Sequence, residues 1–288
     1  LVFCRGRACS TRFLAGAMFG VVVFLGLLAV PSLRAEPGSN LWFEVGEKLV
    51  YQVNWGFIPV GTSVVTTEWI EEDGRRLLAI RFKTVTNHVV EKLYPVDDLV
   101  ESIIDPDTFL PLRFVKRLNE GDYHCDELTV FDYKTLKARW EAKTSGKVKE
   151  FDIETDTRDI VSFMYFMRST GFKAGDERAF RVMADEKIYD LTVKADKMET
   201  FGVGRFGKVP CVKLEPQAAF GGIFVRKGRM WMWVSDDSRH LCTKLAAQVP
   251  VAKVYIYLEE VHGPGDDFWV KSEEEEKKAD ADQESGEP

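Results

Sequence analysis

The chain has 288 residues, with 39 basic against 46 acidic side chains, a formal net charge of −7 and 45% apolar residues. That length suits one large β domain or two small ones. The acidity argues against nucleic acid as a partner, because phosphate binding relies on an excess of Lys and Arg.

Arg5, Arg7 and Arg12 precede an apolar run from Phe13 to Val30, which Pro31 breaks, and Leu33-Arg34-Ala35 then ends in a small residue. This is the pattern of a secretory signal peptide over 1–35, followed by a linker at 36–40 and implying a periplasmic or secreted protein. The alternative is an inner-membrane anchor over 13–30, since about 18 apolar residues can just span a bilayer. Loss of residues 1–35 removes four arginines and no acid, which takes the net charge from −7 to −11. Cys4 and Cys9 lie in that leader, and Cys125, Cys211 and Cys242 remain. Three thiols cannot all pair within one chain, so a Cys211–Cys242 bridge and buried free thiols both stay open.

The first β-hairpin is expected over Gly46 to Trp69. Leu49, Tyr51, Val53 and Trp55 alternate with more polar neighbours, the period of a half-buried strand. The connection Gly56-Phe57-Ile58-Pro59-Val60-Gly61 puts two apolar side chains where a plain turn would carry Asn or Asp. It is either a packed turn or an exposed lip. Asp73-Gly74 is a hairpin signal. Strands follow at 78–84, 96–104 and 110–118, the last two joined by Asp105-Pro106-Asp107, then at 123–133 and in a hairpin around Ser145-Gly146.

The period then changes. Ile160, Phe163, Met164 and Met167 recur at helical spacing, with Val161, Tyr165 and Phe166 on the other side. A helix near 158–169 that is apolar nearly all round is buried or plugs a concave sheet. Thr157 or Asp159 supplies its N-cap, and Gly171 closes it. Strands resume at 179–183, 187–195, 209–215, 229–235, 241–245 and 249–261. The order implies a mainly β fold: a strongly curved antiparallel sheet or half-barrel, or two sheets divided at the helix. The folded domain is expected over 41–262. From Gly263-Pro264-Gly265 the chain becomes a tail, dominated by Glu, Lys and Asp from Lys271 onward, and 263–288 is expected to be an acidic, disordered segment.

No nucleophile elbow, metalloprotease or phosphate-binding motif occurs after the leader, so no catalytic residue, cofactor or metal is assigned. His124 and Asp126 would share a strand face, which reads as a solvated pair. The strongest polar cluster is Asp236, Asp237, Arg239 and His240, directly after Met230-Trp231-Met232-Trp233-Val234. Two aspartates and a histidine fit acid/base work or a cation site. A strand-end turn capped by Asp and Ser is the plainer reading.

Several stretches together resemble the exported bacterial proteins of domain-of-unknown-function family 3108. They are Gly46-Glu47-Lys48-Leu49-Val50-Tyr51, Trp55 to Gly61, Tyr94-Pro95-Val96-Asp97-Asp98 with Glu101, Arg158-Asp159-Ile160 to Arg168, and Gly228 to Asp237. The resemblance spans roughly Leu41 to Val261. One departure is Leu241-Cys242, where the pattern places proline after the basic pair. The resemblance implies export and a mostly β fold, and carries no activity or catalytic residue with it.

Three functions are compatible with these residues. The first is a periplasmic binding protein for an apolar small molecule or lipid, with Trp55, Phe57, Ile58, Phe163, Phe166, Trp231 and Trp233 as candidate ligand contacts. The second is a structural or interaction protein that meets other envelope proteins through the 56–61 lip. The third is an envelope hydrolase using Asp236, Asp237 and His240.

Overall fold

The computed structural model describes residues 41–264, apart from 185, 221–222, 225–228 and 250–251. The expected leader, the linker and the acidic tail from 265 onward lie outside the described residues. Sixteen strands follow in order: β1 (Lys48–Trp55), β2 (Ile58–Glu72), β3 (Arg75–Thr86), β4 (Asp97–Asp105), β5 (Leu110–Glu120), β6 (Tyr123–Asp132), β7 (Lys137–Ala142), β8 (Lys147–Asp152), β9 (Arg158–Asp159), β10 (Glu177–Ala184), β11 (Lys187–Gly202), β12 (Lys208–Phe220), β13 (Ile223–Phe224), β14 (Arg229–Ser235), β15 (Cys242–Val249) and β16 (Ala252–His262). The helix α1 (Ile160–Phe166) lies between β9 and β10.

All of the strands belong to one sheet, in the order β8-β7-β6-β5-β4-β3-β2-β1-β16-β15-β14-β12-β11-β10-β9, with β13 paired to β12. The alternative of two sheets divided at the helix is therefore corrected. The reason is β1, whose two edges are both taken: Lys48 sits opposite Thr66 of β2 and His262 of β16. The first strand thus welds the segment before the helix to the segment after it. Pairing is antiparallel except for the two-residue β9, which runs parallel to β10.

The sheet curves but does not close, because no ladder joins its outer strands β8 and β9 among the described residues. Side chains span that gap instead. Phe131, Ala138, Trp140 and Ile153 pack with Met183 of β10. Lys147 and Lys149 pair with Glu186, and Arg181 pairs with Glu154.

The helix occupies the concavity. Asp159 caps it, accepting from the Val161 amide at 2.7 Å and the Ser162 amide at 2.8 Å. It is shorter than the pattern predicts, because the chain tightens into a 3-10 turn at Met167–Ser169. Its all-round apolarity has a physical reason. Val161 and Tyr165 belong to the main core with Leu49, Val65 and Ile80, while Phe163 and Met167 join a second cluster with Val193, Leu214 and Met232.

The connections at the helix-plugged end of the sheet are closed by aspartates. Asp105 accepts from the amides of Asp107 and Thr108, and Asp132 from those of Lys134 and Thr135. At the opposite end the β1–β2 and β3–β4 connections carry exposed apolar residues.

Candidate functional site

Strand alternation turns one set of side chains into the concavity. On β1 these are Leu49 and Tyr51, on β2 Ser63 and Val65, on β14 Met232 and Val234. Together with Phe82, Leu245, Ile256 and the helix side chains Met164, Tyr165 and Met167, they surround a cavity of about 90 Å³. A single water needs about 10–15 Å³ on the same measure, so there is room for several waters or a small apolar group. Three of the lining residues are methionines, whose unbranched thioethers adapt to irregular shapes. The polar groups on the wall are few: Ser63, the hydroxyls of Tyr51 and Tyr165, Arg168 and His240.

Arg168 and His240 lead into a buried ionic cluster centred on Glu47, which is 1% exposed. The Arg168 guanidinium grips the Glu47 carboxylate with both terminal nitrogens, at 2.7 and 3.0 Å. Arg239 donates to the same carboxylate at 2.8 Å, and the Tyr165 hydroxyl donates at 3.3 Å. Arg168 Nε donates to the Arg239 carbonyl at 3.1 Å, and His240 Nδ1 donates to the Arg168 carbonyl at 2.7 Å. Burial alone would raise the Glu47 carboxyl, but the two guanidiniums pull it below the usual carboxylate range. Burial drives the Tyr51 and Tyr165 hydroxyls well above their ordinary value, so both stay protonated.

Three further carboxyls, Asp98, Glu120 and Asp159, are buried elsewhere among the described residues. Asp159 accepts from the Ser102 hydroxyl at 2.6 Å, and burial pushes its carboxyl up to about 6. Glu120 is raised to about 7, first by burial and then by the neighbouring Asp98 carboxylate. One Glu120 oxygen has no hydrogen-bond partner among the described residues.

None of the seven residues expected to contact a ligand lines the cavity. Trp231 and Trp233 alternate with Met232 and Val234 and so turn to the opposite face of β14. There Trp233 donates to Glu199 at 2.7 Å, and Lys244 stands 4.4 Å from its ring. Phe163 is fully buried and meets Phe180 edge to face. Phe166 packs under the Arg158 guanidinium, 3.6 Å from the ring centre. Trp55 is half-exposed, and Phe57 and Ile58 are exposed at a hairpin tip.

In the polar cluster, Asp237 accepts from the Arg239 amide at 2.8 Å and the His240 amide at 3.2 Å, which is turn capping. Asp236 is exposed. Arg239 and His240 instead point toward Glu47 and Arg168. His124 bonds Asn119, and Asp126 pairs with Arg117. Cys125, Cys211 and Cys242 are free thiols. Cys211 contacts the Thr243 hydroxyl at 3.2 Å, whereas Cys242 lines the cavity, and burial raises the two to about 11 and about 12.

Sequence reasoning missed the Glu47–Arg168–Arg239 cluster. Its members lie in three separate stretches, the Gly46-Glu47 start, the arginine that ends the helix and the late basic pair, and nothing local in the sequence joins them.

Among solved structures, the fold is similar to a β-barrel-like protein of the domain of unknown function DUF1849 from Brucella abortus. The likeness has a TM-score of 0.51 at 12% identity and covers 75% of this chain and 97% of that one. It bears on the fold alone. No curated protein matches the chain. The model of the family described as a protein of unknown function, DUF3108, matches residues 50–259, from within β1 to within β16. That span takes in nearly the whole curved sheet, its helix and the cavity between them, and the chain belongs to this family.

Proposed function

We propose that this is an exported envelope protein that binds a small apolar molecule, or part of a lipid acyl chain, inside its curved sheet. The observation that carries the reading is the cavity of about 90 Å³. Its walls are mostly aliphatic and thioether groups, and its charged side is Arg168 with His240. A space with so few partners holds water poorly and favours apolar occupants. Its size suits one chain end or a small ring, not a whole phospholipid. The basic n-region and apolar run of the first 35 residues support export.

Organic extraction of the purified protein, followed by mass spectrometry, should release an apolar compound. Leu245→Trp, which fills the cavity from β15, should abolish that recovery while the far-ultraviolet circular dichroism stays unchanged. An extract without any bound compound, together with no thermal shift on adding fatty acids, would sink the reading. Export predicts that the protein recovered from the periplasm begins near Glu36, which N-terminal sequencing checks. No observation favours a hydrolase built on Asp236, Asp237 and His240, since Asp237 is committed to its turn.

A further inference from the structure

We propose that the end of the sheet bearing Phe57 docks on an anionic bilayer surface. The inference goes beyond the interior cavity and does not rest on it. Phe57 is 98% exposed and Leu93 86%, and Ile58 and Val89 are each more than half exposed. Side chains of this size rarely stand so free on a soluble surface unless something covers them.

The exposed residues occupy neighbouring tips. The β1–β2 turn carries Phe57 and Ile58, and the β3–β4 connection carries Val89 and Leu93. Asn87 ties the two together, its amide donating to the Val60 carbonyl at 2.9 Å and its side chain to the Pro59 carbonyl at 2.7 Å. On the other flank the Gly56 amide donates to the Lys253 carbonyl at 2.8 Å, which fixes the tip against β16. These tips are held in place by backbone hydrogen bonds, so their apolar side chains are presented without an ordering cost at docking.

Three features favour lipid over a protein partner. The apolar side chains stand on separate projecting tips and do not line a groove. Trp55 and Tyr94 are partly exposed just behind them, where a membrane's aromatic belt would lie. Lys92 and Lys253 are exposed beside the tips and form no ion pair among the described residues. Several strand lysines are paired, as Lys83 is with Asp97, Lys194 with Glu177 and Lys197 with Glu199, while Lys48 and Lys208 form no ion pair among the described residues and have no exposed apolar tip beside them. Glu91 is the one acid in the 56–57 and 87–96 connections. An unpaired lysine beside an apolar tip complements an anionic headgroup layer. At the opposite end, with its aspartate-capped turns, Leu136 is the one exposed large apolar residue among the described connections, and at 37% it is far less free than Phe57 or Leu93.

The test is flotation of the chain beginning at Leu41, which holds the entire sheet and all its core clusters, with phosphatidylcholine vesicles with and without phosphatidylglycerol. The protein should float with the anionic vesicles and less with the neutral ones. Phe57→Asp and Leu93→Asp should each reduce partition about tenfold or more. Lys92→Gln and Lys253→Gln should each reduce it about fivefold, on anionic vesicles only. All four positions are exposed, so melting temperatures should not change and a loss of binding cannot be put down to unfolding. The proposal fails if the unsubstituted chain does not float, or if Phe57→Asp floats as well as wild type. It also fails if the same substitutions dissolve a dimer seen by sedimentation without vesicles, or abolish capture of an envelope protein while leaving flotation intact. A second copy or a protein partner would then cover the patch.

Discussion

At the scale of single residues, Glu47 concentrates the most consequence. One carboxylate serves two guanidiniums and a tyrosine hydroxyl away from water. Removing it strands two buried cations, and loss of one partner of a buried pair typically costs about 3–5 kcal/mol. Glu47→Ala should therefore lower stability by about that much in urea unfolding, and a change below about 1 kcal/mol would refute the account. Glu120 makes a prediction of the opposite sign. Its carboxyl is near 4.5 when unfolded and about 7 in the fold. Between those values the folded state keeps a proton that the unfolded chain has released, so stability falls as pH rises through that window. Glu120→Gln should remove this slope and melt higher than wild type above about pH 7, with the two curves converging below about pH 4.5. Neither residue could be singled out as a site from the sequence. Arg168 and Arg239 lie 121 and 192 positions from Glu47, and a Glu beside a Lys at a strand start reads as a solvated charge.

At the scale of elements, the sequence pattern was most reliable where one face was buried. Leu49, Tyr51 and Val53 alternate inward on β1, as their spacing predicts. The helix over 160–166 follows from the change to a 3.6-residue period and from Asp159 as its cap. Patterning ran out where both faces of a strand are apolar. In Trp231-Met232-Trp233-Val234 the alternation is clear, but nothing local says which set faces the concavity. The methionine and valine do, while the tryptophans pack with Lys213, Lys244 and Glu199. The two glycines of the Gly56–Gly61 connection also differ in role. A Cβ at Gly61 would overlap the Val85 backbone carbonyl of β3. At Gly56 the space is open, and only its φ of +60° disfavours a side chain. Gly61→Ala should force β2 and β3 apart and cost about 2 kcal/mol or more, against about 1 kcal/mol for Gly56→Ala, as read by chemical denaturation.

At the scale of the whole molecule, the decisive pairing is the one the sequence hides best. β1 and β16 are separated by almost the full length of the fold, and their adjacency makes one sheet where chain order allowed two. At the foot of that pairing, Gly263 approaches the Gly46 carbonyl so closely that a Cβ would not fit. The first and last described segments are thus side by side. A circular permutant that joins 41 to 264 by a short Gly/Ser linker and opens at Asp73-Gly74 should unfold as cooperatively as wild type. A chain ending at Val249, without β16, should lose cooperative unfolding by circular dichroism, since β1 and β15 would both become bare edges. The same adjacency governs how the fold bears tension. A pull on its two flanks loads the anchors of 41–47, Trp42 on the Tyr165 carbonyl and Glu47 on Arg168, and, once these yield, the Lys48–His262 rung, then Leu49–Val261, and so on up the ladder. The rungs separate singly, as in a zipper, instead of sharing the force as they would in shear. Tethered through its two ends, the molecule would hold until the Glu47 anchor gives way and then open along that seam.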